Sequence, residues 1–252
     1  MTSLLGGKRA VVTGGANGIG RAIVTELSRA GVTEGAILDL PTAVSVSSLA
    51  DGWNEIPVDL RDDRSIREAF DQLRATHEAI DVLIAAAGIV PAWTGISDMD
   101  PDEWDDVFRV NARGVMRTIQ EARPRMSEGS AIVVIASQNA WRGNENLASY
   151  TASKHAALGL VRSLALELGA HGIRVNAIGP GSVATEAYMS RLRGREASGG
   201  ATVEQALANE ARQTTLQRLT TVEDVARATV FLASDLASGV TGHLLPVGPA
   251  TR

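Results

Sequence analysis

The chain predicts an α/β protein: a doubly wound parallel sheet of about seven strands with helices on both faces. Three observations carry this. Short apolar runs alternate with longer segments of helical periodicity. The runs are apolar throughout rather than at every second residue, which fits strands buried on both faces, as in a parallel sheet. A glycine-rich turn joins the first strand to the first helix. No repeat, linker or composition break divides the 252 residues, so a single domain over 1–252 is expected.

Taken in order, residues 9–14 (RAVVTG) read as a buried strand, and 19–31 have helical periodicity ending at a glycine. Residues 35–40 (GAILDL) and 56–60 (IPVDL) are the next strands. A helix is expected over 62–76, a strand over 80–88, and a long helix over 101–126 with proline in its first turn. Residues 130–137 form a strand, 147–170 a long helix, and 173–181 a strand and turn. The polar, glycine-containing stretch at about 184–220 is either a mobile lid or a surface insertion. Residues 222–234 are helical, and 243–248 (HLLPVG) supply the seventh strand.

Composition narrows the function classes. A net charge of −5 leaves no basic footprint for nucleic acid. The absence of cysteine excludes disulfides and thiolate metal sites, and no His/Asp/Glu cluster has metal-ligand spacing. The first residues lack the apolar core of a signal peptide, and no run approaches the roughly 18 apolar residues of a membrane span. A cytoplasmic protein with no membrane or nucleic-acid partner is expected.

The turn TGGANGIG, residues 13–20, places Gly14, Gly18 and Gly20 where a tight turn, a close backbone approach to ligand and close helix–strand packing are needed. The following helix offers its unpaired N–H groups and positive dipole end to a pyrophosphate. Asp39 ends the second strand, where a carboxylate hydrogen-bonds the ribose hydroxyls of NAD. It would also repel a 2′-phosphate, by roughly 4 kcal/mol for unit charges about 4 Å apart at an effective dielectric of 20. Leu40 and Pro41 follow it and no basic residue does, so NAD is favoured over NADP.

Tyr150 and Lys154 lie four positions apart in an expected helix, on one face. Ser137 precedes the tyrosine by thirteen positions, and Asn111 lies within the preceding long helix. With the Thr-Gly-x-x-x-Gly-x-Gly turn, this ordered set resembles the short-chain dehydrogenase/reductase family over nearly the whole chain. The resemblance implies a Rossmann fold and hydride transfer between NAD and a secondary alcohol or ketone. Tyr150 would be the general acid for reduction and base for oxidation. Lys154 would favour the phenolate and bind the nicotinamide ribose, and Ser137 would hold the substrate oxygen. Asn111 would interrupt its helix and hold a water joining Lys154 to solvent.

The same resemblance extends the cofactor set. Asn17 and Ile19 join the glycines of the turn, and Asp59 with Leu60 would contact adenine, although Asp59 also reads as a helix cap. Ala87 and Gly88 follow the fourth strand. Pro180 and Gly181 would shape the turn beneath the nicotinamide, and Val183 and Thr185 would hold its carboxamide. Two departures stand out: AAAG at 85–88 in place of the family's Asn-Asn-Ala-Gly, and a C-terminus without Asp-Gly-Gly. The first is expected to loosen sheet or adenosine contacts, and the second bears on family-typical contacts near the C-terminus.

Ser137, Asn139, Trp141, Tyr150 and Tyr188 are the candidate substrate-binding residues. The aromatic groups favour a compact apolar or cyclic substrate; Trp93 follows the fourth strand, and Arg142 reads as a carboxylate ligand or as a solvated charge. A sugar or polyol dehydrogenase of the same fold is the alternative, supported by Asn139, Asn144 and Glu145, and a non-catalytic NAD sensor is the reading from another class. An enoyl reductase fits less well, since such relatives commonly separate Tyr and Lys more widely. A homotetramer or homodimer is expected, because the helices at 101–126 and 147–170 resemble those that pair between subunits in the family.

Overall fold

The apolar runs of the sequence become seven parallel strands in the computed structural model, which describes residues 3–44, 52–76 and 78–248. They are Arg9–Thr13 (β1), Glu34–Asp39 (β2), Trp53–Pro57 (β3), Val82–Ala85 (β4), Ala131–Ile135 (β5), Arg174–Pro180 (β6) and Leu244–Val247 (β7). The sheet order is β3-β2-β1-β4-β5-β6-β7. β1 pairs with β2 on one side, Thr13 opposite Leu38, and with β4 on the other, Thr13 opposite Ala85. The order therefore reverses between β1 and β4, and the loops leaving their carboxyl ends diverge to open a crevice there.

The helices are Gly18–Arg29 (α1), Pro41–Val44 (α2), Asp63–Thr76 (α3), Pro101–Phe108 (α4), Val115–Ala122 (α5), Ala148–Gly169 (α6), Glu186–Ala197 (α7), Val203–Gln213 (α8) and Val222–Ala233 (α9). Each face of the sheet has its own apolar layer. Ile23, Val24 and Leu27 of α1 meet Val225, Ala226 and Val230 of α9 over one face. Ile66, Phe70 and Leu73 of α3, Ile119 of α5, and Leu158 and Val161 of α6 fill the other. None of the described helices is long and apolar enough to cross a membrane.

Three elements differ from the sequence reading. β3 begins at Trp53 rather than near residue 56, because the Trp53 ring lies over Gly35 and its Nε1–H donates to Ser28 Oγ at 2.9 Å. The expected helix at 101–126 is not continuous. α4 runs into a π-helical turn, Arg109–Gly114, before α5 resumes, and a 3-10 turn follows at Arg123–Arg125. The polar stretch after β6 is largely helical. Thr185 caps α7, and Thr202 with Gln205 forms a capping box on α8.

Candidate active site

Where β1 and β4 part, the chain encloses a cavity of about 930 Å³. Its wall is built first from backbone. Gly14 adopts φ +70°, and a Cβ there would meet Ala87 Cα at 2.6 Å. A Cβ on Gly20 would lie 2.0 Å from the Gly14 carbonyl oxygen, so α1 can start this close to β1 only with glycine at both positions. Asn17 precedes α1 without a side-chain cap, and the first turn of α1 carries no acidic residue. Its leading N–H groups are thus suited to an anion such as a pyrophosphate. Gly18, Ile19 and Asn17 complete this wall.

Carboxylates stand at the far end. Asp39 closes β2 and accepts from Ala16 N at 3.0 Å and Leu40 N at 2.8 Å, which fixes it against the glycine turn. Asp59 is gripped by both Nε and Nη2 of Arg61, at 3.0 and 2.8 Å, and this pairing holds its carboxyl below the usual range. α3 starts only at Asp63, so Asp59 does not cap it. Leu60, Ala87 and Gly88 line the wall between, with the Ala86 and Ala87 N–H groups donating to Thr13 O and Oγ1 at 3.2 and 3.4 Å. The AAAG sequence therefore keeps backbone and hydroxyl partners at the end of β4.

At the other end, Ser137 follows β5 while Tyr150 and Lys154 stand one turn apart on α6. Ser137 Oγ accepts from Asn139 N at 3.1 Å, which leaves its own hydrogen to donate, and it lies close enough to Tyr150 to hold the phenol's pKa down. Lys154 is buried; its Nζ donates to Ile135 O at 3.0 Å and lies 5.7 Å from the Tyr150 ring centroid. Burial pushes the Lys154 ammonium down to about 8. Burial also pushes the Tyr150 phenol up, opposed by the nearby Ser137 hydroxyl and then by the charge of Arg191. Arg191 of α7 is thus a second cation near Tyr150, besides Lys154.

Asn111 lies behind the cavity wall, in the π-turn. Its Oδ1 accepts from Ile89 N at 2.9 Å, and its Nδ2 donates to Ile89 O at 2.9 Å and Ser153 Oγ at 3.2 Å. The amide fastens the loop after β4 to α6. Gly88 packs beside both, since a Cβ there would sit 3.1 Å from Asn111 Oδ1 and 3.3 Å from Lys154 Nζ.

Pro180, Gly181, Val183 and Thr185 line the opposite wall after β6. Gly181 N donates to Val247 O at 2.9 Å, Val183 bridges to Thr220, and the Thr185 hydroxyl accepts from Tyr188 N at 3.3 Å. Asn139 and Tyr188 also face the cavity. Trp141 does not: its ring lies over Gly179, where a Cβ would meet it at 2.6 Å, and outside the cavity wall.

Two residues escaped the sequence reading. Glu210 of α8 accepts from the hydroxyls of Ser182 and Tyr188, which ties α8 to the turn after β6 and pushes the Tyr188 phenol up beyond what its burial does. Arg191 of α7 stacks on Trp93, its guanidinium carbon 3.8 Å from the ring centroid. Nothing in the local sequence separates these from the surface charges around them.

Comparison with known proteins agrees with this geometry. A family model described as enoyl-(acyl carrier protein) reductase matches residues 14–248. The chain is 36% identical to a (+)-cis,trans-nepetalactol synthase, NEPS2, of Nepeta racemosa, over 96% of this chain and 92% of that one. It is also 36% identical to a mitochondrial (−)-isopiperitenol/(−)-carveol dehydrogenase of Mentha piperita, with the same coverage. A short chain dehydrogenase from Burkholderia cenocepacia, solved in complex with NADP, superposes with a TM-score of 0.83 at 30% identity, covering 97% of each chain. Sequence, topology and match length together place the chain: it belongs to the short-chain dehydrogenase/reductase family of nicotinamide-dependent oxidoreductases.

Proposed function

We propose that this protein is an NAD-dependent oxidoreductase that interconverts a secondary alcohol and a ketone. The observation that carries the reading is the gathering of Ser137, Tyr150 and Lys154 in the wall at one end of a dinucleotide-sized cavity, with Lys154 Nζ 5.7 Å from the Tyr150 ring centroid. When bound, the nicotinamide supplies or accepts the hydride at carbon. The chain's own residues handle the oxygen. Tyr150 gives its proton to the carbonyl oxygen in reduction and takes it from the hydroxyl in oxidation. Ser137, oriented by the Asn139 N–H, donates to the same oxygen and stabilises its developing charge. Lys154 would hold the ribose and, while charged, favours the phenolate. Asn111 positions α6 and the Ile89 loop.

Support for NAD over NADP comes from the carboxylate end. Asp39, held by the Ala16 and Leu40 N–H groups at the end of β2, would meet the ribose hydroxyls. A 2′-phosphate would enter a field of the wrong sign. Comparison of kcat/KM with NADH and NADPH tests this: a clear preference for NADH is expected, and equal or better use of NADPH would overturn it.

The substrate is a compact, largely apolar or cyclic alcohol or ketone; Ile89, Val90, Trp93 and Leu147 supply the apolar wall. The Mentha relative is named for cyclic alcohols of this kind. The four-residue spacing of Tyr150 and Lys154 supports carbonyl rather than enoyl reduction, despite the description carried by the family model. A sugar or polyol is the second reading, favoured by Asn139 and Asn144 in the wall. NADH formation with a panel of cyclic alcohols, acyclic alcohols and aldoses separates the two.

A further inference from the structure

The catalytic end of the cavity carries three cationic side chains: Lys154, Arg142 and Arg191. Two of them have partners. Lys154 donates to Ile135 O, and Arg142 bonds Gln138 Oε1 and lies 5.8 Å from the Trp141 ring centroid. Of the carboxylates in this part of the wall, Glu210 is held by Ser182 and Tyr188 and Glu186 pairs with Arg193. Arg191 differs. Its Nε and Nη2 are buried and have no hydrogen-bond partner, and it forms no salt bridge among the described residues. Its flat face rests on Trp93, with Arg195, one turn further along α7, against the same ring at 4.8 Å.

The two unpartnered donors have a geometric meaning. Nε–H and one Nη–H form a single edge of the guanidinium and point the same way, matched to the two oxygens of a carboxylate. The molecule uses this edge elsewhere: Arg113 holds Asp63 through Nε at 3.0 Å and Nη2 at 2.6 Å, and Arg61 holds Asp59 in the same manner. A cation with both edge donors dry and unsatisfied is costly to keep without an anion. Arg191 lines the cavity and lies close enough for its charge to act on both Tyr150 and Tyr188.

We propose that Arg191 is a specificity-determining residue that takes a carboxylate carried by the substrate on a carbon other than the reacting one. Trp93 holds the guanidinium flat, so the forked edge keeps a fixed direction while the reacting oxygen meets Tyr150 and Ser137. The natural substrate is then a compact, otherwise apolar hydroxy or keto acid. This deepens the functional reading above and rests on it for the identity of the reacting group.

The test has a binding arm and a turnover arm. Cyclohexanecarboxylate and cyclohexanol are titrated calorimetrically into the NADH-loaded enzyme, as wild type, Arg191→Met and Arg191→Lys. The carboxylate is expected to bind the wild type and to weaken by about 10- to 100-fold in Arg191→Met, the range of a charged hydrogen-bonded contact. Arg191→Lys, with the charge but no fork, should fall between. In the turnover arm, the ratio of kcat/KM for oxocyclohexanecarboxylate to that for methylcyclohexanone should drop by a similar factor in Arg191→Met. Equal weakening of carboxylate and cyclohexanol, or an unchanged ratio, would overturn the inference. A loss of NADH affinity in both variants would also overturn it, by assigning Arg191 to the cofactor or to the α7–Trp93 contact. If no ketone is reduced but carboxylate binding still depends on Arg191, the functional reading fails and this inference stands.

Discussion

At the scale of single residues, burial sets Tyr150 and Lys154 against their own chemistry: the phenol is pushed up and the ammonium down to about 8 from an ordinary 10.5. A shift of that size corresponds to about 3 kcal/mol of folding stability withheld below the folded value. The sign follows from proton counts. Between about 8 and 10.5 the unfolded chain binds the proton and the folded one does not, so this group makes the wild type more stable as pH rises. Lys154→Met should therefore melt higher at neutral pH, by about 1–3 kcal/mol after allowance for the lost bond to Ile135 O, with the gap narrowing towards about pH 10. A lower melting temperature at neutral pH would count against it. The same variant should lose turnover and bind NADH poorly. Tyr150→Phe, which keeps the ring, should lose about 10²- to 10⁴-fold in kcat while NADH titration is little changed. These two residues, with Ser137, were legible because their spacing along the chain survives as spacing in the site. Arg191 was not. It sits among Arg193, which pairs with Glu186, and Arg195, which shares the Trp93 ring, and nothing in the local sequence tells which of the three lines the cavity.

Elements were read well wherever one kind of periodicity decided them and poorly where tertiary contacts did. The strands built from unbroken apolar runs, such as Ala131–Ile135, appear close to their expected place. Trp53–Pro57 was displaced because Asn54 and Glu55 interrupt the apolar signal, while the buried Trp53 ring extends the strand. α7 and α8 were hidden by Gly194, Gly199 and Gly200, although the Thr202–Gln205 capping box stood in the sequence as a start signal. The π-turn at Arg109–Gly114 has no periodic signature, and its anchor is the Asn111 amide on Ile89 and Ser153. Asn111→Leu removes that anchor and leaves the Ile89 N–H and carbonyl without it, so a loss of about 1–3 kcal/mol in urea unfolding is expected. A larger relative loss is expected in kcat, because the β4 loop and α6 are no longer tied together. The turn before α1 allows a sharper test. Gly20→Ala brings a Cβ to 2.0 Å from the Gly14 carbonyl oxygen, a backbone atom that cannot move without opening the turn. NADH affinity should fall by at least about tenfold alongside a loss of about 1–3 kcal/mol in stability. An unchanged dissociation constant would show that the turn is not what holds the pyrophosphate.

For the whole molecule, the surface raises the question of what covers it. α6 packs Leu158, Val161 and Leu168 into the sheet, yet Leu166 on its outer side is 85% exposed, and Leu160 and Leu164 are only half-buried. α4 carries Trp104 and Phe108 stacked at 5.0 Å, both partly exposed. Leu160 and Leu164 share one side of α6 and Trp104 and Phe108 one side of α4, with Leu166 on another side of α6; exposed apolar groups brought together in this way mark an interaction surface. These are also the helices that the family resemblance assigns to subunit pairing. We infer a homodimer or homotetramer with α6 meeting its counterpart about a two-fold axis. In such an isologous contact each residue counts twice. Burying Leu166 is worth about 1.5–3 kcal/mol per copy, so Leu166→Glu should weaken the pairing by about 3–6 kcal/mol, beyond two orders of magnitude in dissociation constant. Light scattering at micromolar concentration should report an oligomer for the wild type and a smaller species for the variant. The effect should reach the site, because Tyr150 and Lys154 stand on the same helix: kcat should drop on dissociation and recover as protein concentration is raised. A monomeric wild type would refute the assembly, and a monomeric variant with full kcat would show that α6 holds its catalytic face without a partner.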